Sequence, residues 1–173
     1  IGVSCKRLKA MNIPRLHINV DHVATLRQAR RGDFPCPIQW ALAAEKAGAH
    51  GITCHLRKDR RHIQDADVIR LRGELQSTLN LELSLDTEMV DLALKSGADA
   101  FCLVPEMRQE VTTEGGLDCK KEQARLRDVI PALTEEGGLV SLFVDPEPDQ
   151  LDVARELSAP FVELHTGCYA NST

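Results

Sequence analysis

The chain has 173 residues, of which 43% are hydrophobic, enough to form the core of one domain and too many for a disordered chain. Its 26 acidic against 21 basic side chains leave a formal charge of -5, which excludes a general attraction to nucleic acid or to an anionic membrane and confines any anion site to a local cluster. No apolar run approaches the roughly 20 residues that cross a bilayer, so a soluble, cytoplasmic protein is expected. The six cysteines form no CxxC pair, and free thiols are expected.

Residues 1–15 read as an N-terminal extension and entry, and residues 16–173 as one domain. In chain order, short β-branched and apolar segments predict strands at 16–20, 51–56, 80–85, 100–104, 139–144 and 161–165. Helical patterns lie between them at 37–47, 66–76, 87–95, 120–136 and 148–157. Gly48, Gly97 and Gly137 supply left-handed stops before strands, and Pro37 and Pro148 suit opening turns. Pro131 is expected to kink or divide the helix that contains it.

This βα alternation suits both an open doubly wound sheet and a closed barrel of eight βα units. The strand faces discriminate between them. A parallel sheet covered by helices on both faces is apolar on both. Here alternate positions are polar: His17, Asn19 and Asp21, then Thr53, His55 and Arg57, then Asn80, Glu82 and Ser84, and finally Glu163 and His165. Such groups suit the upper interior of a TIM (β/α)8 barrel, near its C-terminal mouth. About six of the eight units are represented, so an incomplete barrel with exposed sheet edges is expected.

The same faces carry the candidate chemistry. Asn19 and Asp21 share a strand face, with His22 read as beginning the loop beyond. His55-Leu56-Arg57-Lys58-Asp59-Arg60-Arg61-His62 places four fixed cations and two imidazoles in eight residues, a set suited to phosphate. His55 has the range of a general base, and Glu82, between Leu81 and Leu83, requires a ligand, a hydrogen-bond network or a raised pKa. Glu163 can stabilise a developing cation. Thr112 lies in a long connection, residues 104–118, that contains Gly115-Gly116 and whose hydroxyls and amides can hold an anion. The dispersed His and Glu residues give no strong metal signature. His50 reads as structural, at the opposite end from His55, and Trp40 as helix-to-barrel or subunit packing.

The segments INVDHVATLRQARRG, GITCHLRKDRRHI, LVPEMRQEVTTEGGLD and FVELHTGCYA together resemble the pyridoxine 5'-phosphate synthase family over about residues 16–170. The resemblance implies a TIM-barrel transferase of vitamin B6 synthesis. Its substrates would be 1-deoxy-D-xylulose 5-phosphate and 3-amino-2-oxopropyl phosphate, and its products pyridoxine 5'-phosphate, phosphate and water. It implies no cofactor and no metal, and a homo-octamer built from dimers; the charge balance adds the expectation of no nucleic-acid or membrane partner. His55 and Glu82 would accept protons and Glu163 would stabilise charge. Asn19 and Arg30 would hold the amino-ketone phosphate; Asp21, His22, Arg57, His62 and Thr112 would engage the deoxysugar phosphate.

Full members continue beyond the equivalent of Thr173 with a proton-donating histidine and glycine-rich phosphate segments, so the chain alone is expected to be inactive. Two alternatives stand beside this reading: a metal-dependent aldolase or phosphosugar isomerase, and a non-catalytic phosphate-binding or assembly domain.

Overall fold

The computed structural model describes residues 14–106 and 115–172. Six strands, β1 (His17–Asn19), β2 (Gly51–His55), β3 (Thr78–Leu83), β4 (Ala100–Leu103), β5 (Leu139–Val144) and β6 (Phe161–Leu164), form one sheet. All five pairings are parallel and the spatial order is β1-β2-β3-β4-β5-β6. Every connection therefore advances one strand in the same direction. A doubly wound sheet reverses at a switch point, whereas steady progression is the winding of a barrel.

The sheet curls. Cys102 Sγ on β4 lies 3.4 Å from Glu163 Oε2 on β6, and one cavity is lined by residues of β1, β2, β3 and β6. The chain thus forms a partial barrel of six strands, with seven helices among the described residues. The helices are α1 (Asp21–Arg30), α2 (Pro37–Lys46), α3 (Asp65–Glu74), α4 (Thr87–Ser96), α5 (Gln123–Glu135), α6 (Pro148–Glu156) and α7 (Gly167–Ala170).

The core lies between the outer sheet face and the helices. Leu79, Leu81 and Leu83 of β3 are essentially buried, as are Leu103, Leu142, Leu71, Met89, Leu126 and Leu133. Burying each such side chain contributes about 1.5–3 kcal/mol relative to exposure. The alternating positions Asn80 and Glu82 face inward instead and are only partly covered. This two-face division follows directly from the period of two along a strand.

Helix boundaries follow local chemistry. Asp86 caps α4, its carboxylate accepting the Glu88 N–H at 3.0 Å, and Gly97 ends the helix in the left-handed region at φ 66°. Gly48 and Gly137 also take positive φ immediately beyond α2 and α5, as the sequence leads one to expect.

Three expectations are corrected, the last two in part. Residues 21–30 form α1, so His22 lies in its first turn and not in a loop. The segment is weakly apolar and buries only Ala24, which leaves almost no stripe for a periodicity to reveal. Pro131 sits inside α5 without dividing it, at an exposed position. Trp40 is 56% exposed, so it is not a helix-to-barrel packing residue.

Candidate active site

Parallel pairing in register brings the C-terminal ends of β1, β2 and β3 together. His55 and Glu82 are register partners, one strand apart. Asp21, opening α1 immediately beyond β1, accepts the His55 backbone N–H at 2.8 Å through Oδ1. Its other oxygen accepts from Asn19 Nδ2 at 2.9 Å, while Asn19 Oδ1 accepts the Asp21 N–H at 2.8 Å. This reciprocal turn fixes the carboxylate between β1 and β2. Burial raises the Asp21 pKa, against the lowering effect of its His55 and Asn19 hydrogen bonds.

Burial has opposite consequences for the two register partners, because the charged form of each is the one disfavoured. It depresses the His55 imidazole to about 3, with the His62 and Arg57 charges acting in the same direction. It lifts the Glu82 carboxyl to about 8, helped by the Asp21 and Glu163 charges. Near neutrality His55 is therefore an unprotonated base and Glu82 a protonated acid. His55 Nε2 is buried and has no hydrogen-bond partner among the described residues. A nitrogen of that kind is available to accept a proton from a bound molecule.

Glu163 reaches the same interior from β6. With Asn19, Thr53, Asn80, Glu82 and His17 it lines a cavity of about 420 Å³. The cavity thus brings Asn19, Glu82 and Glu163 together, and Asp21 and His55 adjoin it through their mutual hydrogen bond and the pairing of His55 with Glu82.

The cationic segment after β2 forms the adjoining wall. Arg57 is 3% exposed, with Nε 3.3 Å from Asp59 Oδ1 and 3.9 Å from Glu106 Oε1. The His62 ring centroid lies 6.0 Å from that of His55. Burial lowers the His62 pKa, while the Asp21 charge opposes the shift. Arg60 is committed elsewhere, to Asp65 and Glu88. Lys58 pairs with Asp86, and its N–H donates to Glu106 at 2.9 Å. Only part of the cationic run therefore faces the acid/base groups.

The other named candidates are placed differently. His22 is exposed on α1 near Asp21. Arg30 is exposed in the last turn of α1, about 13 Å of helix rise beyond Asp21. Thr112 lies outside the described residues. His50 is exposed at the opposite end of β2, where its Nδ1 accepts the Leu16 N–H at 3.1 Å. Among the described residues no cluster of His, Cys, Asp and Glu has an arrangement that could hold a metal ion. Likewise, no helix there is long and apolar enough to cross a membrane.

Sequence reasoning passed over Asp145 and Cys102. Asp145, just beyond β5, lies 2.9 Å from His165 Nδ1, and Cys102 contacts Glu163. Both keep the inward parity of their strands, Cys102 as the register partner of Glu82 and Asp145 two residues after Phe143, and that period of two is the signal by which they could have been found.

A parallel, singly wound partial barrel with an imidazole, a carboxyl and a buried guanidinium at the C-terminal ends of its strands defines a class: proteins of the (β/α)8-barrel type. Comparison with known proteins narrows the class. The chain belongs to the PdxJ family, described as Pyridoxal phosphate biosynthesis protein PdxJ, whose model matches residues 16–173.

A pyridoxine 5'-phosphate synthase of Rhodospirillum rubrum is 54% identical over 158 residues, which cover 91% of this chain. The chain spans 64% of that relative's length. Among solved structures, a mandelate oxidase aligns with a TM-score of 0.58 at 16% identity, covering 87% of this chain and 49% of the oxidase. A protein from Sinorhizobium meliloti 1021 aligns with a TM-score of 0.50 at 20% identity, covering 87% of this chain and 62% of its own. These two likenesses concern the fold alone.

Proposed function

We propose that the whole protein condenses 1-deoxy-D-xylulose 5-phosphate with 3-amino-2-oxopropyl phosphate, giving pyridoxine 5'-phosphate, inorganic phosphate and water. The observation that carries this reading is the juxtaposition of His55, neutral with an unpartnered Nε2, and Glu82, which retains its proton to about pH 8. Family membership and the 54% identical synthase support it.

The amino group of one substrate attacks the ketone of the other, and loss of water gives an imine. Proton removal and return then carry the adduct through an enamine, phosphate elimination, water addition and ring closure. His55 accepts a proton at Nε2, and Glu82 donates first and accepts afterwards, so each begins in the protonation state its surroundings favour. Glu163 faces the developing iminium. Arg57 and His62 hold the deoxysugar phosphate with Asp21, His22 and Thr112, while Asn19 and Arg30 hold the amino-ketone phosphate. Two anions held beside each other convert an improbable encounter into an effectively intramolecular reaction.

The same reading places the protein in the cytoplasm, as a single barrel domain assembled into octamers from dimers, with no cofactor. The test is to supply the whole protein with both phosphates and measure pyridoxine 5'-phosphate and released phosphate. Equimolar formation is expected. Absence of product, or turnover of one sugar phosphate alone in the presence of a divalent metal, would overturn the proposal.

A further inference from the structure

Arg27, on α1, has no role in the chemistry above, yet it holds the far end of the cationic segment. Its Nη1 and Nη2 donate to Asp67 Oδ1 and Oδ2, each at 2.7 Å. Nη2 also donates to the His62 carbonyl at 3.0 Å. Asp67, in the first turn of α3, accepts in addition the Gln64 N–H at 2.9 Å. Gln64 Nε2 in turn donates to the carbonyls of Arg60 at 2.6 Å and His62 at 3.0 Å.

The His62 carbonyl thus receives two donors, one from each side of the clasp. With its backbone fixed, the His62 ring is fixed as well: Nδ1 accepts the Ile63 N–H at 2.9 Å, which leaves Nε2 as the nitrogen that carries the proton in the neutral ring. That ring sits beside His55.

The ion pair differs from a surface bridge, whose contribution is small. Its side chains are 11% and 7% exposed, and its geometry is the parallel two-bond fork that Arg alone offers a carboxylate. Lysine carries the charge but cannot span both carboxylate oxygens and a carbonyl.

We infer that Arg27 is a positioning residue for His62, acting through Asp67 and the segment's backbone, and that it sets affinity for the deoxysugar phosphate more than the rate of proton transfer. The inference rests on the proposed function for the identity of that phosphate. A merely structural clasp would lower stability without distinguishing the substrates. A positioning clasp acts on one of them.

The experiment compares the whole wild-type protein with Arg27→Met and Arg27→Lys, measuring Tm, kcat and a separate KM for each phosphate. Arg27→Met is expected to raise KM for the deoxysugar phosphate ~10–100-fold, with kcat and the amino-ketone KM changed less than about threefold. Arg27→Lys should fall between it and wild type. Equal effects on both KM values, or a lowered Tm with neither KM changed, would overturn the inference.

A second measurement is independent of turnover and uses Arg27→Lys should Arg27→Met fail to fold. Inorganic phosphate is titrated while the His62 imidazole is followed by NMR, and weaker binding than in wild type is expected. No phosphate response at His62 in wild type, or equal affinity in the variant, overturns the inference. Weakened phosphate binding in a protein that makes no pyridoxine 5'-phosphate would instead remove the proposed function and leave the clasp standing.

Discussion

His55 and Glu82 are register partners on adjacent parallel strands whose protonation preferences are displaced in opposite directions, to about 3 and about 8. The inversion makes the imidazole the base and the carboxyl the acid at neutral pH. Both displacements arise mainly from burial, so they belong to the folded protein and vanish on unfolding.

Replacing His55 by Asn should reduce kcat of the whole protein ~10²–10⁴-fold, the range supplied by a positioned general base. KM for either phosphate should change only a few-fold, since Asn preserves much of the shape. Steady-state kinetics with both substrates check this. Unchanged turnover would remove His55 from the mechanism.

The Glu82 displacement also affects stability. Because the folded state holds this proton more tightly, the stabilisation is complete below the unfolded value of 4.5 and is lost as pH rises through about 8. Each unit of displacement corresponds to about 1.4 kcal/mol. Glu82→Gln should therefore flatten the decline in stability between those pH values. Urea unfolding at a series of pH values measures the slope, and an unaltered slope would contradict a Glu82 that keeps its proton in the folded state.

For His55 the sign reverses. Its folded value lies below the unfolded 6.5, so its contribution is present above 6.5 and is lost as pH falls towards about 3. His55→Asn should thus gain relative stability on acidification, in contrast to Glu82→Gln. Acid unfolding of the two variants side by side distinguishes them.

Arg57→Lys should raise KM for a phosphate substrate ~10–100-fold while changing kcat less, because a point charge replaces a buried fork. The Asp59 and Glu106 carboxylates retain a cation nearby, which keeps the fold intact. Equal KM values for variant and wild type would show that the phosphate lies elsewhere.

Two glycines give a paired test of packing. A Cβ on Gly116 would lie 2.0 Å from the Asp145 backbone nitrogen and 2.4 Å from the Val144 carbonyl carbon, neither of which can rotate away. Gly116→Ala should destabilise by ~1–3 kcal/mol or more. Gly73, within α3, has nothing within 4 Å of such a Cβ, and Gly73→Ala should stabilise by about 0.5–1 kcal/mol. Thermal unfolding resolves the opposite signs.

Much of this arrangement is legible along the chain. Leu81, Glu82 and Leu83 predict a strand with one polar face, and β3 has that form. The glycines after α2, α4 and α5 mark where those helices end. Helix α1 is not legible, because only Ala24 of it is buried and Leu26 is 59% exposed, so its apolar residues form no stripe on the core. The Arg27–Asp67 clasp joins positions 40 residues apart, and no spacing rule connects them.

The sequence by itself determined the alternation of strands and helices, the polar faces of β1, β2, β3 and β6 and the phosphate-suited run after β2. These depend on periods of two and 3.6 residues and on side-chain chemistry, which are local properties. Only the tertiary structure decided that the strands succeed one another without reversal, that Glu163 shares an interior with Glu82, and which of His55 and Glu82 holds a proton. Those outcomes depend on burial and on charges brought together by folding, and neither quantity exists until distant segments meet.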